Sequence, residues 1–289
     1  MKKPIALVLG GGGGKGAYQI GVWQALREYG VDKMIGGVAG TSVGALNAAL
    51  FAQNDYEAAA RAWESVNNDK ILHLDKSRHF QALKQFNLGR IFFDGIFSND
   101  GLRELMETYL DLEKVSRSPI PAFATCCPVP KFSFRNLKLP DPVYFRIDGL
   151  APAEIAPVLL ASSAIPFVFD AIQIGEKTYV DGGLVDNVPI RPLYDLGFRR
   201  FIVINLDMYQ RLPREKYRDA DIIEIMPDYS RTENITDVLD FSPAEIQAHI
   251  QEGYGDAMQT LSSRFKLPAR ISLPKLLKKL VPTRKLAGE

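Results

Sequence analysis

The stretch IALVLGGGGGKGAYQIGVWQALREYGVDKMIGGVAGTSVGALNAALFA, residues 5–52, decides the fold. It opens on an apolar run at residues 5–9, which is typical of a strand covered on both faces. Five glycines follow, and residues 15–29 then carry apolar side chains at helical spacing. Residues 35–39 predict a second strand and residues 43–52 a second helix. Two consecutive strand–helix units indicate a parallel sheet with helices on its faces.

The rest of the chain continues this alternation without an internal repeat or a linker. Residues 55–118 are predicted to be mostly helical. Further strands are predicted at 120–127, 143–147, 173–180, 200–206 and 222–226, and further helices at 151–161, 189–196 and 243–261. We therefore expect an α/β fold, a single three-layer α/β/α domain with a mostly parallel central sheet, over residues 1–263. Residues 264–289 form a separate basic tail.

Composition excludes several classes of protein. The 289 residues are 46% hydrophobic and carry a formal net charge of +1, so the chain as a whole indicates no nucleic-acid partner. Its two cysteines, Cys126 and Cys127, are adjacent and belong to no wider metal-binding pattern. No apolar stretch approaches the ~18 residues that a spanning helix requires. These features predict a reduced, cytoplasmic protein without a metal site.

The glycine run is open to three interpretations. A P-loop would require glycine at Leu9 and a hydroxyl at Gly16, so it fails twice. The spacing Gly11-x-Gly13-x-x-Gly16 fits a dinucleotide fingerprint, but the second strand lacks the acidic residue that would hold the ribose. An oxyanion hole is the third interpretation, and it requires a nucleophile at a neighbouring strand-to-helix turn. A nucleotide-binding module remains an alternative at this point.

The second strand ends in such a turn. GTSVG, residues 40–44, is a G-x-S-x-G pattern in which Gly40 and Gly44 flank Ser42. Small flanking residues permit the strained elbow that exposes a nucleophilic serine at the start of a helix. Because parallel strands bring their carboxyl ends to one edge of a sheet, the glycine run and Ser42 are expected to be neighbours. This pairing favours catalysis over nucleotide binding.

A serine nucleophile needs a proton acceptor. Of the three histidines, His73 and His79 are typical of surface or cap positions, whereas His249 completes the order Ser42, Asp181, His249 of an α/β-hydrolase triad. The competing base is Asp181 alone, which ends a predicted strand and precedes two glycines. A carboxylate at the carboxyl end of a strand lies where open α/β sheets place their active sites.

Three motifs in this order resemble the patatin-like phospholipase family of lipid acyl hydrolases. The family pattern G-G-G-x-[KR]-G matches residues 11–16, the elbow matches residues 40–44, and the D-G-[GA] motif matches residues 181–183. SSAIPFVF, residues 162–169, is similar to the family segment that leads to the aspartate strand. The resemblance covers roughly residues 4–210. The matched motif positions other than Ser42 and Asp181 are Gly11, Gly12, Gly13, Gly14, Lys15, Gly16, Gly40, Gly44, Gly182 and Gly183.

The resemblance implies a Ser42–Asp181 dyad without histidine, metal or cofactor. Asp181 would accept the proton of Ser42, whose oxygen attacks an ester carbonyl of a phospholipid or lysophospholipid to form an acyl-enzyme. Amides of Gly11, Gly12 and Gly13 would stabilise the oxyanion. Lys15 would support that loop or attract an anionic headgroup, and its alternative is an exposed lysine in the first helical turn.

Two further regions concern the lipid. Phe-rich residues 86–97 and residues 164–172 either pack in the core or line an acyl-chain channel. From residue 264 to 289 there are eight Lys or Arg and one Glu, hence +7, which leaves −6 for residues 1–263. A basic segment with leucines and three prolines could lie on a membrane surface, remain solvated or pack on the domain. The tail is therefore the expected site of any peripheral membrane contact.

Overall fold

The computed structural model describes residues 4–72, 97–129, 139–227 and 238–267. The predictions for His73, His79, residues 86–96 of the Phe-rich segment and the tail beyond residue 267 fall outside these ranges. Within them the central sheet has eight strands. These are β1 Ile5–Leu9, β2 Ile35–Thr41, β3 Ala122–Pro128, β4 Val143–Arg146, β5 Ile172–Ile174, β6 Lys177–Asp181, β7 Arg200–Ile204 and β8 Asp221–Ile225.

The strand order is β5-β6-β3-β2-β1-β7-β8, and β4 pairs with the outer edge of β3. The pairs β3–β2, β2–β1, β1–β7 and β7–β8 are parallel, whereas β4 and β6 run antiparallel to β3. The prediction of a mostly parallel sheet is confirmed. The apolar strand β1 lies in the middle of the five parallel strands, where all its side chains are buried.

Nine α-helices surround the sheet in the described part of the chain. They are α1 Ala17–Tyr29, α2 Val43–Ala52, α3 Tyr56–Ser65, α4 Asn68–Ile71, α5 Asp100–Tyr109, α6 Leu112–Ser116, α7 Pro152–Ser162, α8 Arg191–Asp195 and α9 Pro243–Ser262. Most pack on one face of the sheet and form the larger core. The other face is covered more thinly, by α8 and by residues from the connection between β7 and β8.

Helices α1 and α9 pack together at unusually close range. A Cβ atom on Gly21 of α1 would lie 1.9 Å from the carbonyl oxygen of Ile250, and one on Gly253 of α9 would lie 2.1 Å from that of Tyr18. Only glycine allows two helix backbones to approach this closely. The last helix is thereby fastened to the helix that follows the glycine run.

Two local predictions are wrong in an informative way. The segment 173–180, predicted as one strand, is a hairpin, because Gly175 adopts φ 59° and turns the chain between β5 and β6. The helix predicted from residue 15 begins at Ala17, since Gly13–Gly16 form a tighter 3-10 turn. Both differences arise at glycines, because hydrophobic periodicity does not reveal which backbone conformation a glycine adopts.

Candidate active site

Ser42 occupies the sharp turn between β2 and α2. Its backbone angles are φ 55° and ψ −129°, a strained conformation for any residue other than glycine. Its amide donates a hydrogen bond of 3.0 Å to Oγ of Ser162, and that buried hydroxyl donates one of 2.6 Å to the carbonyl of Thr125. Glycine is required beside it, because a Cβ atom on Gly40 would lie 2.0 Å from the carbonyl oxygen of Gly44. Ser162, on α7, thus ties the turn to β3.

Asp181 reaches Ser42 from the opposite direction. Its strand, β6, runs antiparallel to β3 and places Asp181 opposite Cys126, so the rule for carboxyl ends of parallel strands does not explain its position. The amide of Gly183 donates to the Asp181 carboxylate over 2.7 Å. Burial raises the pKa of Asp181 to about 6, although the neighbouring side chain of Ser42 and the amide of Gly183 act to lower it.

The glycine run lies beside this pair and is anchored to the neighbouring strand and loop. The amide of Gly10 donates to the carbonyl of Ile204 at the end of β7, over 2.9 Å. The amide of Gly11 donates to the carbonyl of Asn187 over 3.2 Å, and the side-chain amide of Asn187 donates back to the carbonyl of Gly11. Within the described residues, the amides of Gly12 and Gly13 donate to no backbone carbonyl. Of the three predicted oxyanion donors, Gly11 is therefore already engaged.

Close approach by the protein itself explains why these positions are glycine. A Cβ atom on Gly11 would lie 2.4 Å from Oδ1 of Asn187 and 3.0 Å from Cβ of Ser42. Gly13 adopts φ 56°, and a Cβ atom there would lie 1.9 Å from the carbonyl oxygen of Val238. The run is thus enclosed between the Ser42 turn and the segment that precedes α9.

A buried polar network supports the run from below. Gln19 donates to the carbonyl of Gly10 over 2.7 Å, and Asn47 donates to the carbonyl of Gly16 and to the side chain of Gln19. The indole N–H of Trp63 donates to Asn47 over 2.9 Å. Each side chain in this network has its partner, so the network rigidifies the loop at no cost in unsatisfied polar groups.

Two spaces meet at Ser42. The first is a cleft of about 540 Å³, lined by the glycine run, Asp181 and Asn187. The second is a smaller pocket of about 100 Å³ between α2, α3 and α5, whose lining is largely apolar and includes Leu46, Met106 and Phe169. The proposal that residues 164–172 line a channel is thus supported by Phe169, which also belongs to the core.

Of the two remaining candidate residues, one lines the cleft and the other does not. Lys15 lines the cleft and is only 6% exposed, so the alternative of an exposed first-turn lysine is wrong. His249 lies on α9, is absent from the described lining of the cleft and has Nδ1 3.7 Å from a carboxylate oxygen of Glu252. The structure brings Ser42 and Asp181 together but does not add His249 to them.

Comparison with known proteins identifies the fold. A model of the patatin-like phospholipase family matches residues 7–194. The chain belongs to this family. The matched range contains the glycine run, Ser42 and Asp181. Membership of a phospholipase family favours acyl hydrolysis over the nucleotide-binding alternative.

Individual relatives share about a quarter of their aligned residues with this chain. An uncharacterized NTE family protein of Mycobacterium bovis is 28% identical over 218 residues, which are 75% of this chain and 52% of that protein. Lysophospholipase NTE1 of Cryptococcus neoformans is 25% identical over 218 residues, which are 75% of this chain and 12% of that protein. The chain thus spans about half the length of the mycobacterial relative and far less of the fungal one.

A solved structure gives the same fold. The crystal structure of VipD from Legionella pneumophila superposes with a TM-score of 0.55 at 16% identity, covering 90% of this chain and 67% of VipD. At this identity the likeness concerns the architecture alone. No helix in the described ranges combines the length and the apolar character needed to cross a membrane.

Proposed function

We propose that this chain is a serine hydrolase of lipid acyl esters, with Ser42 as the nucleophile and Asp181 as the base. The observation that carries the proposal is the position of the Ser42 side chain beside the buried carboxylate of Asp181, whose pKa it acts to lower, with both residues lining one cleft. A nucleophile within hydrogen-bond reach of its base is the geometry that covalent catalysis requires. Membership of the patatin-like phospholipase family supports the same assignment.

Asp181 is suited to proton transfer near neutral pH. Its pKa of about 6 leaves the carboxylate ionised at pH 7. A pKa close to the working pH allows a group both to accept a proton and to return it. An ordinary solvated aspartate, with a pKa near 3.9, would be a much weaker base.

The reaction then proceeds in two halves. The oxygen of Ser42 attacks the ester carbonyl while its proton passes to Asp181, and the tetrahedral intermediate collapses as the leaving alcohol takes that proton. Water attacks the resulting acyl-enzyme, again giving its proton to Asp181, which returns it to Ser42 as the fatty acid departs.

We assign the oxyanion contacts to the amides of Gly12 and Gly13. Gly11 instead positions the loop, because its amide is bonded to Asn187. Backbone donors held by such a loop need no reorganisation during the reaction, and each contributes ~3–4 kcal/mol to transition-state stabilisation in comparable enzymes.

The apolar pocket beside Ser42 indicates the acyl side of the substrate. An acyl chain in the pocket would place its carboxyl carbon at Ser42, while the alcohol half of the ester remained in the wider cleft. Lys15, which lines the cleft, favours an anionic group there. These features support a phospholipid or a lysophospholipid, and the fungal relative is itself named a lysophospholipase.

The test compares the wild type with Ser42→Ala, Asp181→Asn and His249→Ala. Each protein is assayed on a chromogenic short-chain ester and on lysophosphatidylcholine, and is treated with a fluorophosphonate whose site of attachment is mapped by mass spectrometry. We expect both substrates to be cleaved, the adduct to lie on Ser42, and the first two variants to lose at least about a thousandfold in kcat.

His249→Ala is the control that separates the two candidate bases. A dyad predicts that this variant keeps wild-type activity, whereas the α/β-hydrolase triad predicts a loss comparable to that of Ser42→Ala. Hydrolysis that survives Ser42→Ala, or a wild type inactive on every ester, would contradict the proposal.

A further inference from the structure

The exposed apolar side chains of this protein are unevenly placed. Seven large apolar residues of the described ranges are exposed; three of them line the cleft, and a fourth directly follows a lining residue in the chain. Leu184, Met208 and Tyr209 line the cleft, and Phe167 directly follows its lining residue Pro166. We call these four residues the apolar rim. Exposed apolar side chains that stand singly need no explanation, but a group around an active site does.

Two members of the rim lie in segments with distinctive backbone structure. Phe167 has φ 66°, a conformation that is costly for a bulky residue, and its side chain is 47% exposed. Tyr209 is 82% exposed at the tip of a turn that the buried Asn205 organises. Asn205 accepts from the amide of Asp207 and donates to the carbonyl of Gln210.

That turn is closed by a further hydrogen bond, of 2.9 Å, from the amide of Tyr209 to the carboxylate of Asp207. Three hydrogen bonds therefore fix the turn that carries the exposed Tyr209.

The rim connects the outside of the molecule with the apolar pocket. Ser42 lies between the cleft and that pocket and lines both, so a chain entering through the rim meets the nucleophile before it reaches the pocket. An acyl chain leaving a bilayer along this path would pass from one apolar environment to another. Its transfer would then avoid most of the cost of exposing methylene groups to water.

A cation stands next to the rim. Arg211 is exposed and follows Gln210, whose carbonyl Asn205 holds at the end of β7. An arginine beside exposed aromatic and aliphatic side chains complements a surface that has phosphate groups above hydrocarbon. Asp207 of the same turn also lines the cleft, but its carboxylate accepts from the amide of Tyr209, so Arg211 is the charge that this turn offers to the phosphate groups of a phospholipid surface.

We propose that the apolar rim is the surface by which this protein docks on a phospholipid bilayer, with the mouth of the cleft against the lipid. The proposal rests on the proposed function for its choice of partner, because the phospholipids among the proposed substrates are held in bilayers. It assigns the membrane contact to the folded domain, at residues remote in sequence from the basic tail.

The test uses a double variant, Met208→Ser with Tyr209→Ser, and a matched control, Leu196→Ser. Leu196 is 48% exposed and precedes the amino end of β7, so it lies at the opposite edge of the sheet. All proteins carry Ser42→Ala, which makes the result independent of hydrolysis. Binding to vesicles of phosphatidylcholine with phosphatidylglycerol is measured by co-sedimentation, and circular dichroism checks folding.

We expect the double variant to bind vesicles at least about tenfold more weakly than its parent. Leu196→Ser should bind as its parent does. With an active Ser42, the ratio of vesicle hydrolysis to short-chain ester hydrolysis should fall similarly. Unchanged vesicle binding by the double variant, or no binding by its parent, would overturn the proposal.

Light scattering tests whether the rim instead binds a second copy of this chain. A dimer of the parent that the double variant dissociates would show that the rim meets a second copy, which also overturns the proposal. A wild type that binds vesicles through the rim but cleaves no ester would instead contradict the proposed function alone.

Discussion

Replacing Asp181 with asparagine should abolish activity and yet stabilise the protein in a pH-dependent way. The folded-state pKa is raised from 3.8 to about 6, so the folded protein holds this proton more tightly than the unfolded chain does. Ionisation of Asp181 therefore costs stability, and this cost increases as the pH rises from about 4 through 6. A difference of about two pKa units corresponds to a destabilisation of about 3 kcal/mol, which is fully present above pH 7. Near pH 4 the same destabilisation is below about 1 kcal/mol.

Asparagine can keep the hydrogen bond from the amide of Gly183 through its oxygen, and its amide can donate toward the oxygen of Ser42. Urea unfolding of the wild type and Asp181→Asn, measured at intervals between pH 4 and pH 8, should show the variant becoming relatively more stable as pH rises. Ser42→Ala is the matched control, since it is equally inactive but retains the carboxylate and its pH dependence. A constant difference between wild type and Asp181→Asn across this range would refute the argument from burial.

Four other outcomes are expected. In the wild type, log kcat/KM should rise with pH and level off above about 6, as Asp181 ionises. Ser162→Ala should lower the free energy of unfolding by about 1–3 kcal/mol and slow fluorophosphonate labelling, because it unpairs the amide of Ser42. Gly13→Ala should cost more than about 3 kcal/mol, whereas Gly149→Ala, at φ 91° in open space, should cost about 1–2 kcal/mol by thermal denaturation. Leu50→Trp, which fills part of the apolar pocket, should shift the preference among p-nitrophenyl esters toward shorter chains; an unchanged chain-length profile would place the acyl chain elsewhere.

Local patterns predicted most of the framework. The apolar run at Ile5–Leu9 and the small-residue helix Val43–Ala52 have the predicted bounds, because burial on both faces leaves a direct record in composition. The approach of Ser42 to the glycine run follows from parallel strands that share an edge. Motif order, rather than any single motif, indicated the family.

Long-range contacts were beyond such patterns. Nothing local shows that Asn187 engages the amide of Gly11, or that Val238 encloses Gly13, since these partners lie far apart in the chain. The rule for parallel strands places Asp181 at the cleft for an incomplete reason, because the hairpin that reverses its strand depends on the conformation of Gly175. The role of Ser162 had one signal, its place in the segment SSAIPFVF, but its hydrogen bonds require the fold.

The close packing of α1 on α9 bears on the order in which the parts of the candidate site come together during synthesis. Ser42 and the glycine run precede Ile204, Val238 and α9, which anchor and enclose that run, and Ile204 alone is 162 residues beyond Ser42 (204 − 42). A nascent chain therefore carries Ser42 before it holds the contacts that fix the glycine run beside it. Under the proposed function, a chain that has not yet been extended through α9 lacks an ordered oxyanion site.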